Sequence, residues 1–190
     1  MRTLKASFLF STILLLSFLA VVFAQKSANH SSPKHWLAVE VGLNTPMTIN
    51  AGTTEQAPKA FWRLPAVANG ESSAAAIKLV PKMVGDKMEV TVSVLSGDVS
   101  LVKSCKDWGL LKESQVAVYT LSEGEAVTVP QLPDLGANFK NGKLTFKAVP
   151  SPQPPQGGFG RICSSSCGEN SCQANEGHCV SCPPCGELCC

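Results

Sequence analysis

Cysteines crowd the C-terminal end of this 190-residue chain, and the crowding limits how that end can fold. Eight of the nine cysteines lie in the last 28 residues, among few apolar side chains. A segment of this composition keeps a fixed shape only through covalent or metal cross-links, because it cannot bury enough apolar surface. The eight are Cys163, Cys167, Cys172, Cys179, Cys182, Cys185, Cys189 and Cys190, and the ninth is Cys105.

The first 24 residues have the pattern of a cleavable secretory signal peptide. Arg2 and Lys5 precede an uncharged run that begins at Phe8 and ends with the small residue Ala24. We therefore expect a mature chain that begins near Gln25, works in a secreted, periplasmic or extracellular location, and has no membrane span. The alternative is an uncleaved anchor, because the uncharged run of 17 residues is at the lower limit for crossing a bilayer.

Export makes disulfides the first interpretation of the cysteine-rich tail. In an oxidising compartment an even set of closely spaced cysteines favours disulfides over metal binding. Four bridges would use all eight tail cysteines, with Cys105 left as a buried thiol or as a link between two chains. Adjacent Cα atoms lie closer together than disulfide-bonded ones usually do, so Cys189 and Cys190 are expected to bond to different partners.

The alternative interpretation of the tail is a thiolate metal site. Short spacings and a neighbouring histidine favour a soft ion such as Zn²⁺ or Cu(I). Four of the tail cysteines, from Cys179 to Cys189, also have the spacing of a bacterial [4Fe–4S] run, although a cysteine follows them where that run has proline. The candidate ligands are Cys179, Cys182, Cys185, Cys189 and His178.

Residues 35–149 predict a mostly β domain. Segments 76–84 and 87–95 alternate apolar and polar residues, and Gly85-Asp86 between them suits a two-residue hairpin turn. Seven or eight such strands predict an antiparallel β-sandwich of Ig-like size, with a barrel as the alternative. The further predicted strands are 36–43, 47–50, 61–67, 115–121, 126–129 and 144–149, and residues 104–114 are a candidate short helix.

Aromatic residues in this domain are expected mainly in the core. Phe61 and Trp62 are the exception, because adjacent residues of a strand point to opposite faces. One of the two must lie outward unless another part of the chain covers it. Cys105 lies close to Trp108 in sequence, and an exposed Cys105 beside that ring could tie the tail to the domain.

The remaining segments connect these parts. Residues 25–34 are polar and predict a flexible lead-in before the sandwich. Residues 150–160 contain several prolines and a glycine pair, which predict a flexible linker. Residues 161–190 then form the cysteine-rich tail.

Composition narrows the function without identifying it. The formal net charge of +2 is spread thinly, so nucleic acid is not expected as a partner. No catalytic motif is visible, so we predict a non-enzymatic structural or binding protein that contacts an unknown protein or surface ligand. The alternatives are a metal-binding module that uses tail thiolates, a carrier of a releasable cysteine-rich peptide, and an enzyme whose carboxylates only the fold brings together.

Overall fold

The computed structural model describes most of the chain beyond residue 35. The described residues are 36–52, 57–64, 74–130, 132, 135–136, 138–152 and 162–190. The predicted signal peptide (1–24), the predicted lead-in (25–34), Pro65 and most of the predicted linker (153–160) lie outside them.

The described residues form twelve strands and three short 3₁₀ helices. The strands are β1 Trp36–Val41, β2 Met47–Asn50, β3 Lys59–Arg63, β4 Ala74–Val84, β5 Lys87–Ser96, β6 Lys112–Leu121, β7 Ala126–Val129, β8 Leu144–Ser151, β9 Ile162–Cys167, β10 Asn170–Asn175, β11 Cys179–Cys182 and β12 Gly186–Cys189. The 3₁₀ helices are Val99–Leu101, Cys105–Leu110 and Lys140–Gly142.

These strands build two six-stranded antiparallel sheets packed against each other, which confirms the predicted β-sandwich. The first sheet has the order β10-β9-β2-β1-β8-β7, and the second has the order β11-β12-β3-β4-β5-β6. The core between them takes alternate residues from both sheets. Its largest fully buried side chains include Met47, Ile49, Ile77, Leu79 and Phe146, and each contributes roughly 1.5–3 kcal/mol by leaving water.

The β4–β5 hairpin follows its sequence pattern closely. Gly85 adopts a φ of 65°, the left-handed backbone that the predicted turn requires. Met88, Val90 and Val92 of β5 are fully buried in the core, as their alternation predicts. The pairing of β5 with β6 shifts register between Val92 and Ser93, and Val94, the next apolar residue in the alternation, is only partly buried.

A second apolar cluster lies on the outer face of the second sheet. Phe61 and Trp62 point to opposite faces, as predicted, and Trp62 enters the core between the sheets. The 3₁₀ helix Cys105–Leu110 covers Phe61 with Trp108, so both aromatic residues of β3 are buried. The helix is shorter than the predicted 104–114 because β6 begins at Lys112.

The tail does not form a body of its own, although the sequence suggests a separate segment. Residues 35–190 form one compact unit. The β9–β10 hairpin pairs with β2 at one edge of the first sheet, and the β11–β12 hairpin pairs with β3 at one edge of the second. Backbone hydrogen bonds thus incorporate an apolar-poor segment into both sheets. Residues 150–151, assigned to the linker from sequence, belong to β8.

Three disulfides join the two tail hairpins. Each connects a residue of the β9–β10 hairpin in the first sheet with a residue of the β11–β12 segment in the second. They therefore fasten the sheets to each other at one edge of the sandwich. The three bridges are Cys163–Cys190, Cys167–Cys185 and Cys172–Cys182.

Removing one of these bridges should destabilise the fold measurably. The double substitution Cys167→Ala/Cys185→Ala is expected to lower the free energy of unfolding by about 3 kcal/mol, because the unfolded chain regains loop entropy. Denaturant unfolding without reductant, followed by circular dichroism, measures the change. The control is Ser171→Ala at an exposed position of β10. A decrease in unfolding free energy below about 0.5 kcal/mol, the usual size for a surface substitution, would show that this disulfide does not stabilise the fold.

Candidate functional site

Three cysteines meet on the outer face of the second sheet. Cys179 and Cys189 are direct neighbours across β11 and β12, so their side chains lie on the same face. Cys105, at the start of the 3₁₀ helix above them, completes the group. The three sulfur atoms all lie within 4.8 Å of one another.

The sulfur of Cys179 lies in bonding contact with the sulfurs of both Cys105 and Cys189. A cysteine sulfur forms only one disulfide bond, so at most one of these two contacts is a disulfide. The Cα atoms are 5.3 Å apart for Cys105 and Cys179 and 4.0 Å apart for Cys179 and Cys189. Disulfides usually span about 4.4–6.8 Å between Cα atoms, which favours the pairing of Cys105 with Cys179.

The pairing leaves one thiol. Six of the nine cysteines are used by the three bridges between the sheets, and one more disulfide uses two of the remaining three. Cys105, Cys179 and Cys189 therefore share one disulfide and one thiol within a single chain. If all three were reduced, these cysteines would lie close enough together to hold a metal ion, and among the described residues they are the group of cysteines for which this is so.

A cleft of about 370 Å³ opens beside these sulfurs, and we call it the lysine cleft. Cys105 and Cys189 contribute to its wall, and the edges of Phe61 and Trp108, which are 5% and 4% exposed, also line it. Three lysines and one glutamate are the charged residues among its lining, which gives the cleft a net positive charge. They are Lys59, Lys78, Lys106 and Glu113.

One of the lysines is neutralised by the glutamate. Lys78 Nζ donates hydrogen bonds to both carboxylate oxygens of Glu113, at 2.9 and 2.7 Å. Partial burial acts to raise the pKa of Glu113, but the hydrogen bonds from Lys78 and the charges of Lys78 and Lys59 outweigh it, and the pKa is lowered. Glu113 therefore stays ionised at neutral pH, and the positive surplus comes from Lys59 and Lys106.

A polar network fixes the helix above the cleft. Trp108 stacks on Phe61 with ring centroids 4.5 Å apart and planes 9° from parallel. Its Nε1 donates to Glu187 Oε2 at 2.9 Å, and Arg63 Nη2 donates to Glu187 Oε1 at 3.4 Å and to the carbonyl of Val102 at 3.1 Å. The Arg63 guanidinium also lies 5.6 Å from the Trp108 ring centroid. These contacts hold the Cys105 helix against β3 and β12.

The start of that helix is capped locally. Asp107 Oδ2 accepts hydrogen bonds from the backbone N–H groups of Lys103 and Ser104, at 2.9 and 2.6 Å. Hydrogen bonds from the backbone of Lys103 and from the side chain and backbone of Ser104 lower the pKa of Asp107. The cap fixes the turn that presents Cys105 to the tail.

The structure does not assemble the metal-ligand set that the tail spacing suggests. Cys182 and Cys185 are bonded to partners in the other sheet, and His178 is exposed. The sulfurs that do converge on the outer face include Cys105, which sequence analysis sets apart because the tail alone holds an even number. Its separation of 74 residues from Cys179 gives no local signal of contact. The one sequence feature that indicated a contact between Cys105 and the tail is the nearby Trp108.

Comparisons with known proteins add no relative. No protein-family model matches the chain, and no match was found among curated proteins or solved structures. Within the described part of the chain, none of the helices has the length and apolar character needed to cross a bilayer. The fold and the cleft define a disulfide-cross-linked β-sandwich protein with a cysteine-rich C-terminus.

Trp108 should stabilise the cleft in two separable ways. Trp108→Phe keeps an aromatic ring on Phe61 but loses the hydrogen bond to Glu187, which is expected to cost about 1 kcal/mol of unfolding free energy. Trp108→Ala loses both contacts and leaves a cavity, for an expected cost of about 3 kcal/mol or more.

Leu110→Ala is the matched control for Trp108, because Leu110 lies on the same helix and is 67% exposed. It should change stability by no more than about 0.5 kcal/mol. Denaturant unfolding of Trp108→Phe, Trp108→Ala and Leu110→Ala ranks the three variants by their free energies of unfolding. Equal stabilities of Trp108→Ala and Leu110→Ala would show that the helix is not anchored by this network.

Proposed function

We propose that the protein is an exported, non-enzymatic binding protein that holds an anionic group of its ligand in the lysine cleft. The observation that carries this proposal is the surplus of lysine charge beside an aromatic wall in one cleft of about 370 Å³. Clefts of roughly 300–1,000 Å³ are the usual size for small ligands. A protein or a surface ligand that presents an acidic group next to an apolar one fits this chemistry.

The arrangement of charges supports binding of an anion. Lys78 is engaged with Glu113, while Lys59 and Lys106 line the same cleft and have no carboxylate counterpart among its other lining residues. Lysine binds anions as a compact charge without demanding one geometry. The stacked pair Phe61 and Trp108 is held rigidly and is nearly buried, so it fixes the shape of the cleft and offers a ligand a small preformed apolar edge.

The disulfides support a location outside the cytosol. At least three bridges link the sheets, and structural disulfides of this kind persist in oxidising compartments and are rare in reducing ones. The predicted signal peptide points the same way. The tail strands pair with β2 and β3, so a carrier that releases its tail would have to break both sheets. This favours a binding protein that keeps its tail.

An anionic aromatic dye tests the cleft directly. Anilinonaphthalene sulfonate joins a sulfonate to apolar rings and fluoresces in apolar surroundings, so it should bind the folded protein. The double substitution Lys59→Gln/Lys106→Gln is expected to weaken this binding about tenfold, because two partly exposed charge contacts are lost. Fluorescence titration at low ionic strength measures the dissociation constant, and added salt should weaken binding to the original protein.

The control for the dye experiment removes two lysines elsewhere. Lys87→Gln/Lys143→Gln changes the net charge by the same amount at two exposed positions, the first residue of β5 and the residue before β8. It should leave the dissociation constant within about twofold, the change expected from distant screened charges. Equal weakening by both double variants would reject the lysine cleft as the anion site.

Export is tested on the protein that its own host makes. Intact-mass analysis and N-terminal sequencing should show a chain that begins at or near Gln25. Ala24→Arg should block removal of residues 1–24, because signal cleavage requires a small residue there. Recovery of the unaltered chain with residues 1–24 still attached would contradict export by a cleaved signal.

A further inference from the structure

We propose that Cys105, Cys179 and Cys189 form a thiol–disulfide exchange site that bonds the protein covalently to a partner carrying an exposed disulfide. The proposal rests on the convergence of three sulfurs that can hold only one disulfide among them. It does not depend on anion binding in the lysine cleft. A covalent link and a charge contact also give different experimental signals.

The site has a central sulfur and two alternative partners. Cys179 contacts both other sulfurs, from Cys105 on the helix and from Cys189 across the strand pair. In one form Cys105 is bonded to Cys179 and Cys189 is the thiol. In the other form Cys179 is bonded to Cys189 and Cys105 is the thiol. Both forms need only small movements of side chains that already touch.

Exchange between the forms needs no oxidant. The deprotonated sulfur of Cys189 attacks the Cys179 sulfur, a new S–S bond forms between them, and the bond from Cys179 to Cys105 breaks. The electron pair of the broken bond leaves on Cys105 as a thiolate, which takes up the proton that Cys189 released. The numbers of thiols and disulfides are unchanged.

The two cysteines that carry the thiol in turn differ in exposure, because Cys105 is half-buried and Cys189 is buried, with 6% of its surface exposed. Cys105 and Cys189 line the lysine cleft, whereas Cys179 is not among its lining residues. Lys59 and Lys106 line the same cleft, and nearby positive charges favour the reactive thiolate over the thiol. A thiol on the buried Cys189 is therefore transferred to the half-buried Cys105 by exchange through Cys179, and it is then open to reaction beside the two lysines.

Covalent capture is a second exchange of the same type. The thiolate attacks one sulfur of the partner's disulfide, forms a mixed disulfide with it, and displaces the other sulfur as a thiolate. Capture at Cys105 leaves Cys179 bonded to Cys189, and capture at Cys189 leaves Cys105 bonded to Cys179. The partner's disulfide is consumed, and one thiol is released from the partner.

The first experiment maps the thiol in the folded protein. Acid quenching stops exchange, a maleimide then blocks free thiols under denaturing conditions, and reduction followed by a second isotopic maleimide marks the bonded cysteines. Peptide mass spectrometry gives the free fraction at each cysteine. We expect fractional thiol at both Cys105 and Cys189, about one thiol per chain in total, and almost none at Cys179.

Three results of this mapping would overturn the proposal. Thiol confined to Cys105 alone or to Cys189 alone would show one fixed disulfide without exchange. Free thiol at all three cysteines together with bound zinc or copper, measured on the same sample, would show a metal site instead. Absence of thiol from all three, in protein that carries neither metal nor an added mass that reductant removes, would show that the ninth cysteine is permanently consumed in another bond.

The second experiment measures capture with oxidised glutathione as the disulfide. The original protein should gain one glutathionyl group per chain, mainly on Cys105, which is the more exposed of the two cysteines. Cys105→Ser and Cys189→Ser each leave two cysteines that can pair with each other, so both variants should gain none. Circular dichroism checks that they fold. Adduct formation in either folded variant, or at a tail cysteine of the other bridges, would refute capture at this site.

The intact mass of the protein isolated from its host identifies the class of its natural partner. Protein isolated from its host after acid quenching and thiol blocking should carry an additional mass that reductant removes. A small added mass identifies a low-molecular-weight disulfide as the source, and the mass of a polypeptide identifies a protein. A chain with no reducible addition after exposure to an excess of both sources would contradict covalent capture.

Discussion

Three disulfides between the sheets are the constraint on which the C-terminal part of this structure depends. The β9–β10 and β11–β12 hairpins contribute few large apolar side chains to the core, so burial alone would hold them weakly. Bridging the hairpins removes loop entropy from the unfolded chain by roughly 3 kcal/mol for a loop of 15 residues. Their edge positions in both sheets thereby become stable, and the sandwich gains four strands.

The same bridges position the candidate site. Once β12 pairs with β3, Glu187 lies on the outer face of the second sheet, where it accepts hydrogen bonds from Trp108 and Arg63. That network holds the 3₁₀ helix over Phe61 and presents Cys105 to the tail. The lysine cleft is therefore built jointly by the tail and by residues far from it in sequence.

The sequence predicted the parts of the fold whose signals are local. The β4–β5 hairpin carries a turn pair and alternating residues, and the opposite orientation of Phe61 and Trp62 follows from strand geometry alone. The tail strands were missed because serines, cysteines and glycines alternate there without the apolar contrast that identifies a strand. The contact of Cys105 with Cys179 spans 74 residues and depends on the completed fold.

Strand alternation also explains why the even set of tail cysteines does not close on itself. Consecutive residues at the end of β12 point to opposite faces, so Cys190 turns inward to bond with Cys163 while Cys189 joins the outer cluster. Cys179 lies opposite Cys189 on the same outer face, and Cys182, an odd number of positions further along β11, points inward. Two tail cysteines are thus directed outward together, and the helix brings Cys105 to them as a third. The eight tail cysteines therefore do not form four disulfides among themselves, because each cysteine can pair only with one on the same face, and the outer face holds three.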